Sequence, residues 1–539
     1  MLNTKKDFSM KKILLLLLFF ASLRSFSIEQ PNRRMQIDEI IVNDTILCDS
    51  ILDNVHRIYT TDNNSLQGIV FLEGKKINLK LVNNNRRNVR YYLIGNGFVH
   101  PFNEPFGKAK VDSIYTYDGT LAPGDSALYT IGHRSMIPVI AHGGVPADMN
   151  DSVAVAKAYL DMLYAGFDVS TCLSNDINSF NDKLRIAETK GLQLIIGEKD
   201  HTSNWYSNLV NSTATYKSAI YGYYIGDEPF LEHDSSSHAT IDDLVPMVNT
   251  ILSVDSSAMI RICLNPIYWP AMCVYEGGHM ICYNEKKYSD YIDSCIHKLK
   301  LKNITFDNYS ISTTTDPITG DSIRVLKRQW FDNLEIIRSH CIKHHIPFCG
   351  YVLSAKHLTY LLPTIGTMRL QMYANLAYGA KSIAYYTYWH RNLMNELPYY
   401  APVDSSGNRR KDLYYTLNRV NEEMARVSPL FAEGTVKRVY HINEASSNTQ
   451  VKFLTSEHLP DNVDSLVFSG NKGAIASIIT KGDSTFFVIV NKDFNQPAHL
   501  HIKGNKYLYH VSKLNLSNEA ITTGDYVIDP GDIIIFNLT

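Results

Sequence analysis

The 539-residue chain is too long for one hydrophobic core and calls for about two or three domains. Its composition, 45% apolar and 20% charged with a formal net charge of −2, is that of a globular protein. It lacks the basic excess with which a nucleic-acid binder displaces phosphate counterions, and it contains no phosphate loop, dinucleotide glycine fingerprint or His-Glu-x-x-His zinc helix, so no nucleic acid, cofactor or metal is expected.

At the N-terminus, Lys11 and Lys12 precede an apolar run from Ile13 to Phe20 and then the small residues Ala21, Ser22, Ser25 and Ser27. That is the order of a secretory signal peptide, and the run is too short to span a bilayer. Residues 1–27 are therefore expected to be removed, leaving an exported protein (periplasmic, at the cell surface or secreted) with no integral membrane segment. Residues 28–134 hold short strand-like runs at 68–72, 77–82 and 89–94 between Asn- and Gly-rich turns, which predicts a β-sandwich.

From residue 135 to 430 strands and helices alternate. The strands are expected at 138–141, 168–173, 192–196, 219–225, 259–264, 304–309, 347–353 and 382–388, with helices such as 153–164, 241–252, 331–344 and 367–377 between them. Eight such repeats predict a (β/α)8 TIM barrel, and a doubly wound sheet is disfavoured because no Gly-rich phosphate turn follows the first strand. A helix at 412–426 leads into residues 431–539, where strand-like runs and the Asp529-Pro530-Gly531-Asp532 turn predict a second β-sandwich. Cys263, Cys273, Cys282 and Cys295 lie farther apart than the ~2–4 residues of a zinc site. In an exported protein a disulfide among them is open.

The reactive groups of a (β/α)8 barrel stand where the strands end. Here those ends carry carboxylates, amides and aromatics, a set suited to a polyhydroxylated neutral ligand: aromatic faces stack on sugar C–H groups, amides and acids bond hydroxyls, and a carboxyl pair does proton and nucleophile work. Glu228, in Asp227-Glu228-Pro229 at the end of strand 4, is the leading catalytic candidate. Burial and the neighbouring Asp227 carboxylate would raise its pKa into the range of a general acid. Alternatively, Asp227 and Glu228 cap the following helix. Asp307, ending strand 6, is the second candidate, with a turn-forming Asp as its alternative. Asp176 and Glu198 are weaker ones. Asp227, Asn265, Trp269, Tyr309, Tyr388 and Trp389 are the expected substrate-binding residues, and the tryptophans are possible sugar platforms.

Four stretches carry a family resemblance. They are Tyr223-Tyr224-Ile225-Gly226-Asp227-Glu228-Pro229, Thr305-Phe306-Asp307-Asn308-Tyr309, the Arg369-x-Gln371 helix running to Ala377-Tyr378-Gly379-Ala380-Lys381, and Tyr385-Tyr386-Thr387-Tyr388-Trp389. Over residues 135–539 the chain resembles the secreted glycoside hydrolase-like barrels of gut and soil bacteria, glycoside hydrolase family 42-like or β-galactosidase-like. The resemblance implies a glycosidase with Glu228 as acid/base. It also implies a nucleophilic Glu at the end of strand 7, where this chain reads Phe348-Cys349-Gly350-Tyr351-Val352-Leu353-Ser354. With no carboxylate there, three expectations stand: Asp307 takes the second role, water attacks with a different base, or the barrel binds glycan without cleaving it.

Overall fold

A computed structural model describes residues 35–42, 55–60, 66–73, 76–95, 100–101, 115–198, 201–231, 239–268, 274–276, 279–281, 284–327, 329–358, 360–390, 400–443, 451–513 and 516–539. The expected signal segment, Trp269, Cys273 and Cys282 lie outside them. The first described strands form two antiparallel sheets. Met35–Val42, Leu66–Glu73, Lys76–Val82, Ser126–His133 and His100–Pro101 make a five-stranded one, and Val55–Thr60, Val89–Gly95 and Tyr115–Leu121 a three-stranded one.

The barrel follows. Its strands are β1 (Val139–His142), β2 (Val169–Leu173), β3 (Gln193–Gly197), β4 (Ile220–Asp227), β5 (Ile260–Cys263), β6 (Ile304–Phe306), β7 (Phe348–Leu353) and β8 (Ser382–Tyr386). They pair in parallel in the order β5-β4-β3-β2-β1-β8-β7-β6. The ring closes where Leu264 N–H donates to the Thr305 carbonyl at 2.8 Å and Leu264 bridges Phe306. The helices are α1 (Ser152–Tyr164), α2 (Asn178–Lys190), α3 (Ser203–Thr213), α4 (Ile241–Val254), α5 (Glu285–Lys298), α6 (Gln329–His344), α7 (Ile365–Ala377) and α8 (Lys411–Glu433), one after each strand. The expected (β/α)8 barrel is thus present. β6 and β8 stop short of the expected ends, because from Asp307 and Thr387 onward the backbone leaves the sheet.

The period-2 pattern of β4 sorts its side chains. Tyr223 and Ile225 face the helices, whereas Tyr224 joins the barrel interior with Ile140, Ile195, Cys263, Cys349, Tyr351 and Ala384. Cys263 and Cys295 are buried free thiols, so neither is in a disulfide. No described helix is long and apolar enough to cross a membrane.

The C-terminal strands build one seven-stranded antiparallel sheet. Its long strand Ala498–Val511 pairs with Val463–Ser469 through one half and with Ile533–Asn537 through the other, so the sheet curls into a sandwich-like domain around Phe468, Phe487, Leu500 and Phe536. This domain packs on the barrel through α7. Every residue of α7 after Ile365 is buried, as a helix enclosed on all sides requires.

Candidate functional site

At the C-terminal mouth of the barrel, β4 delivers Asp227 and Glu228. Glu228 N–H still bonds the Cys263 carbonyl at 2.8 Å, but its φ is +45°, a left-handed conformation that L-residues avoid at a cost of roughly 1–2 kcal/mol. Asn265, wholly buried, anchors the turn: its Nδ2 donates to the Pro229 carbonyl at 3.0 Å, and its backbone N–H donates to Tyr291 Oη at 3.1 Å. The alternative in which Asp227 and Glu228 cap the next helix does not hold. Thr240 and Asp243 form a capping box on α4.

Asp307, from β6, reaches the same point, and the Glu228 and Asp307 carboxyls hydrogen-bond each other. Burial, and then the like charge of Asp227, push the Glu228 carboxyl up to about 7. Burial, and then the facing Glu228 and Asp227 carboxylates, raise Asp307 well above the usual carboxylate range as well, so the two carboxyls titrate as a pair. Neighbouring Asn308 is fixed through Asn333: Asn308 Nδ2 donates to Asn333 Oδ1 at 2.8 Å, and Asn333 Nδ2 donates to Tyr288 Oη at 2.9 Å. Two carboxyls from different strands therefore meet, with a third, Asp227, exposed beside them.

Aromatics wall this pair. Tyr309 lies with its ring centroid 5.7 Å from both Tyr360 and Tyr386 and 6.5 Å from Tyr351. Tyr351, which occupies the last part of β7, shares a 2.9 Å hydrogen bond with His142 Nδ1 from β1. Lys327 follows a hairpin (Ile311–Thr315 with Ser322–Leu326) and donates to Tyr360 Oη at 2.9 Å, its ammonium 4.6 Å from the Tyr268 ring centre. Burial pulls the Lys327 amine down to about 8, against the charge of Asp307.

The other expected residues divide. Tyr309 and Asp227 stand at the pair, and Asn265 supports it from below. Tyr388 does not face the mouth: it is fully buried, packed edge-on against Phe167 at 5.0 Å and near Tyr414. Trp389 is not an open platform either. It is 3% exposed, its backbone N–H bonds the Gly143 carbonyl at 2.9 Å, and its ring lies against Gly407. Both follow the end of β8, where the chain turns away from the axis. Asp176 is exposed and accepts from Asn178 N–H at 3.0 Å, a turn role at the start of α2. Tyr206 holds the Glu198 carbonyl. Lys327, Tyr360 and His357, whose ring meets Tyr386 edge-on at 5.0 Å, were not expected. All three sit in segments with no periodic pattern to mark them.

No protein-family model and no curated protein sequence matches the chain. Among solved structures it is similar to a glycoside hydrolase family 5 protein from Bacteroides vulgatus (9% identity, TM-score 0.45, covering 75% of this chain and 89% of that one). A β-galactosidase from Bacillus circulans gives 7% identity and TM-score 0.49 over 75% and 99% of the two chains, and a maltogenic α-amylase from Thermotoga neapolitana gives 8% and 0.39 over 74% and 98%. At such identities and scores none of them lends this chain its activity, and the barrel stands on its own strand pairing.

Proposed function

We propose that the protein is an exported glycoside hydrolase that cleaves O-glycosidic bonds of a polysaccharide or oligosaccharide, with Glu228 as the proton donor and Asp307 as its carboxyl partner. The observation that carries this reading is the hydrogen-bonded Glu228–Asp307 pair at the barrel mouth, with one carboxyl raised to about 7. A general acid works best when its pKa lies near the working pH, and Glu228 meets that condition through burial and the Asp227 charge. In the hydrolytic step Glu228 gives its proton to the leaving oxygen as the glycosidic C–O bond breaks, and water adds its oxygen to the anomeric carbon and gives its proton to the Glu228–Asp307 carboxyl pair. Tyr309, Tyr386 and Tyr360 offer faces and hydroxyls to the sugar. Export rests on the N-terminal charge-apolar-small order alone.

A second reading, a glycan-binding barrel without catalysis, is favoured by one observation: β7 ends in Tyr351 and Leu353, with no carboxylate. Release of reducing sugar from a glycan panel separates the two. The glycosidase reading expects turnover by wild type and a loss of about 10²–10⁴-fold in Glu228→Gln, with binding retained. Glycan binding by both proteins with release by neither would establish the binding barrel instead.

A further inference from the structure

Away from the mouth, on the outer wall of the barrel, α5 and α6 present side chains of metal-ligand type at helical (i, i+4) spacing. These are Asp293 and His297 on α5, and His340 and His344 on α6. Asp293 Oδ1 lies 2.6 Å from His344 Nε2 and 2.8 Å from His340 Nδ1, and the His297 ring meets the His344 ring edge-on with centroids 5.0 Å apart. One donor atom from each of Asp293, His297 and His344 falls within 4.8 Å of the others, and among the described residues no other His, Cys, Asp or Glu trio gathers so closely.

We propose that Asp293, His297 and His344 form a divalent transition-metal site, best suited to zinc, that clamps α5 to α6. Two imidazoles and a carboxylate are a donor set zinc accepts, with a water completing four-coordination. Closing the trio onto one ion at bonds of ~2.0–2.1 Å needs donor separations of roughly 3.3 Å. The exposed His297 ring would close in by a rotamer change, and the 2.6 Å Asp293–His344 contact would open by about 0.7 Å as an ion replaced its proton. His340 supplies the outer support such a site needs. It is nearly buried, Nδ1 holds Asp293, and Nε2 is bonded to Ser289 Oγ at 2.8 Å, which fixes the carboxylate's orientation. Lys343 opposes the ion: its ammonium sits 2.7 Å from Asp293 Oδ2, but it is largely exposed and can swing into water.

This site is independent of the glycosidase reading, and its test needs no substrate. The chelator-stripped full-length chain is titrated with Zn(II) in competition with a chromophoric chelator, and separately with Co(II), whose visible absorption reports four-coordination. Wild type is expected to take up a single equivalent. His297→Ala, at an exposed position that leaves the fold alone, and His344→Ala are each expected to weaken binding about 100-fold or more. His340→Ala should weaken it about 10- to 100-fold, and Lys343→Ala should tighten it. Identical titrations for wild type, His297→Ala and His344→Ala, or no four-coordinate Co(II) band in wild type, would overturn the proposal and leave the cluster an ion-pair network around Asp293.

Discussion

The tip of β4 and helix α7 are the two places where the chain's residue pattern is most distinctive, and they are built by opposite rules. On α7, charge is matched. Arg369 grips Glu423 through a two-pronged bond, Nε to Oε2 at 2.7 Å and Nη2 to Oε1, and faces Asp529 of the C-terminal domain at 3.8 Å. Gln371 accepts the Leu353 N–H at 3.1 Å, and Asn375 fills the space beside Gly350, so α7 holds β7 in place. At the β4 tip, charge is crowded: three carboxylates converge, one of them on a left-handed backbone, with Lys327 as the cation near Asp307. Matched charge serves the fold, and burial together with crowded like charge supplies the raised proton affinity that acid chemistry uses. A distinctive motif thus marks a constraint on the residues without saying which kind it is.

The sharpest way to break this contrast is at α7. Arg369→Ala leaves the mostly buried Glu423 carboxylate with Arg419 at 3.3 Å in place of a two-pronged partner and should cost about 2 kcal/mol, read as a lower denaturation midpoint. Arg369→Lys keeps the charge but loses the fork, and should fall between it and wild type. If Arg369→Ala instead unfolds like wild type while glycan turnover vanishes, α7 belongs to the site and the contrast fails.

The β4 tip should respond in the other direction. Glu228 has a folded-state pKa above its unfolded value of 4.5, so the folded state binds the proton more tightly, and stability is lost as pH rises from about 4.5 through about 7. Glu228→Gln removes that loss. The variant should be more stable than wild type at pH 8, with the difference fading toward pH 4. Thermal unfolding at the two pH values checks this, and a variant less stable at pH 8 would mean that the tip is built for the fold, as α7 is.

Much of this was legible in the sequence. The barrel was, because short apolar strands with period-2 sorting and long amphipathic helices recur in order, and so was the position of Glu228 and Asp307 at strand ends, because each follows an apolar run. Contact between the two acids was not, since it depends on strand register and on the left-handed turn at Glu228. Tyr388 and Trp389 carry the right chemistry for sugar binding but face the wrong way once β8 ends at Tyr386. Lys327 and Tyr360 lie in irregular segments, where no pattern distinguishes a mouth residue from any loop residue. The single curled C-terminal sheet depends on one strand pairing differently along its two halves, which alternation alone does not encode.

Burial, and then the like charge of Asp227, hold a proton on the Glu228 carboxyl up to about pH 7. Following that carboxyl by 13C NMR or difference infrared spectroscopy tests it directly, with Glu228→Gln to assign the signal. A midpoint near 7 is expected in wild type and a lower one in Asp227→Asn, where the like charge is gone. A midpoint near the ordinary 4.5, unchanged by Asp227→Asn, would contradict it.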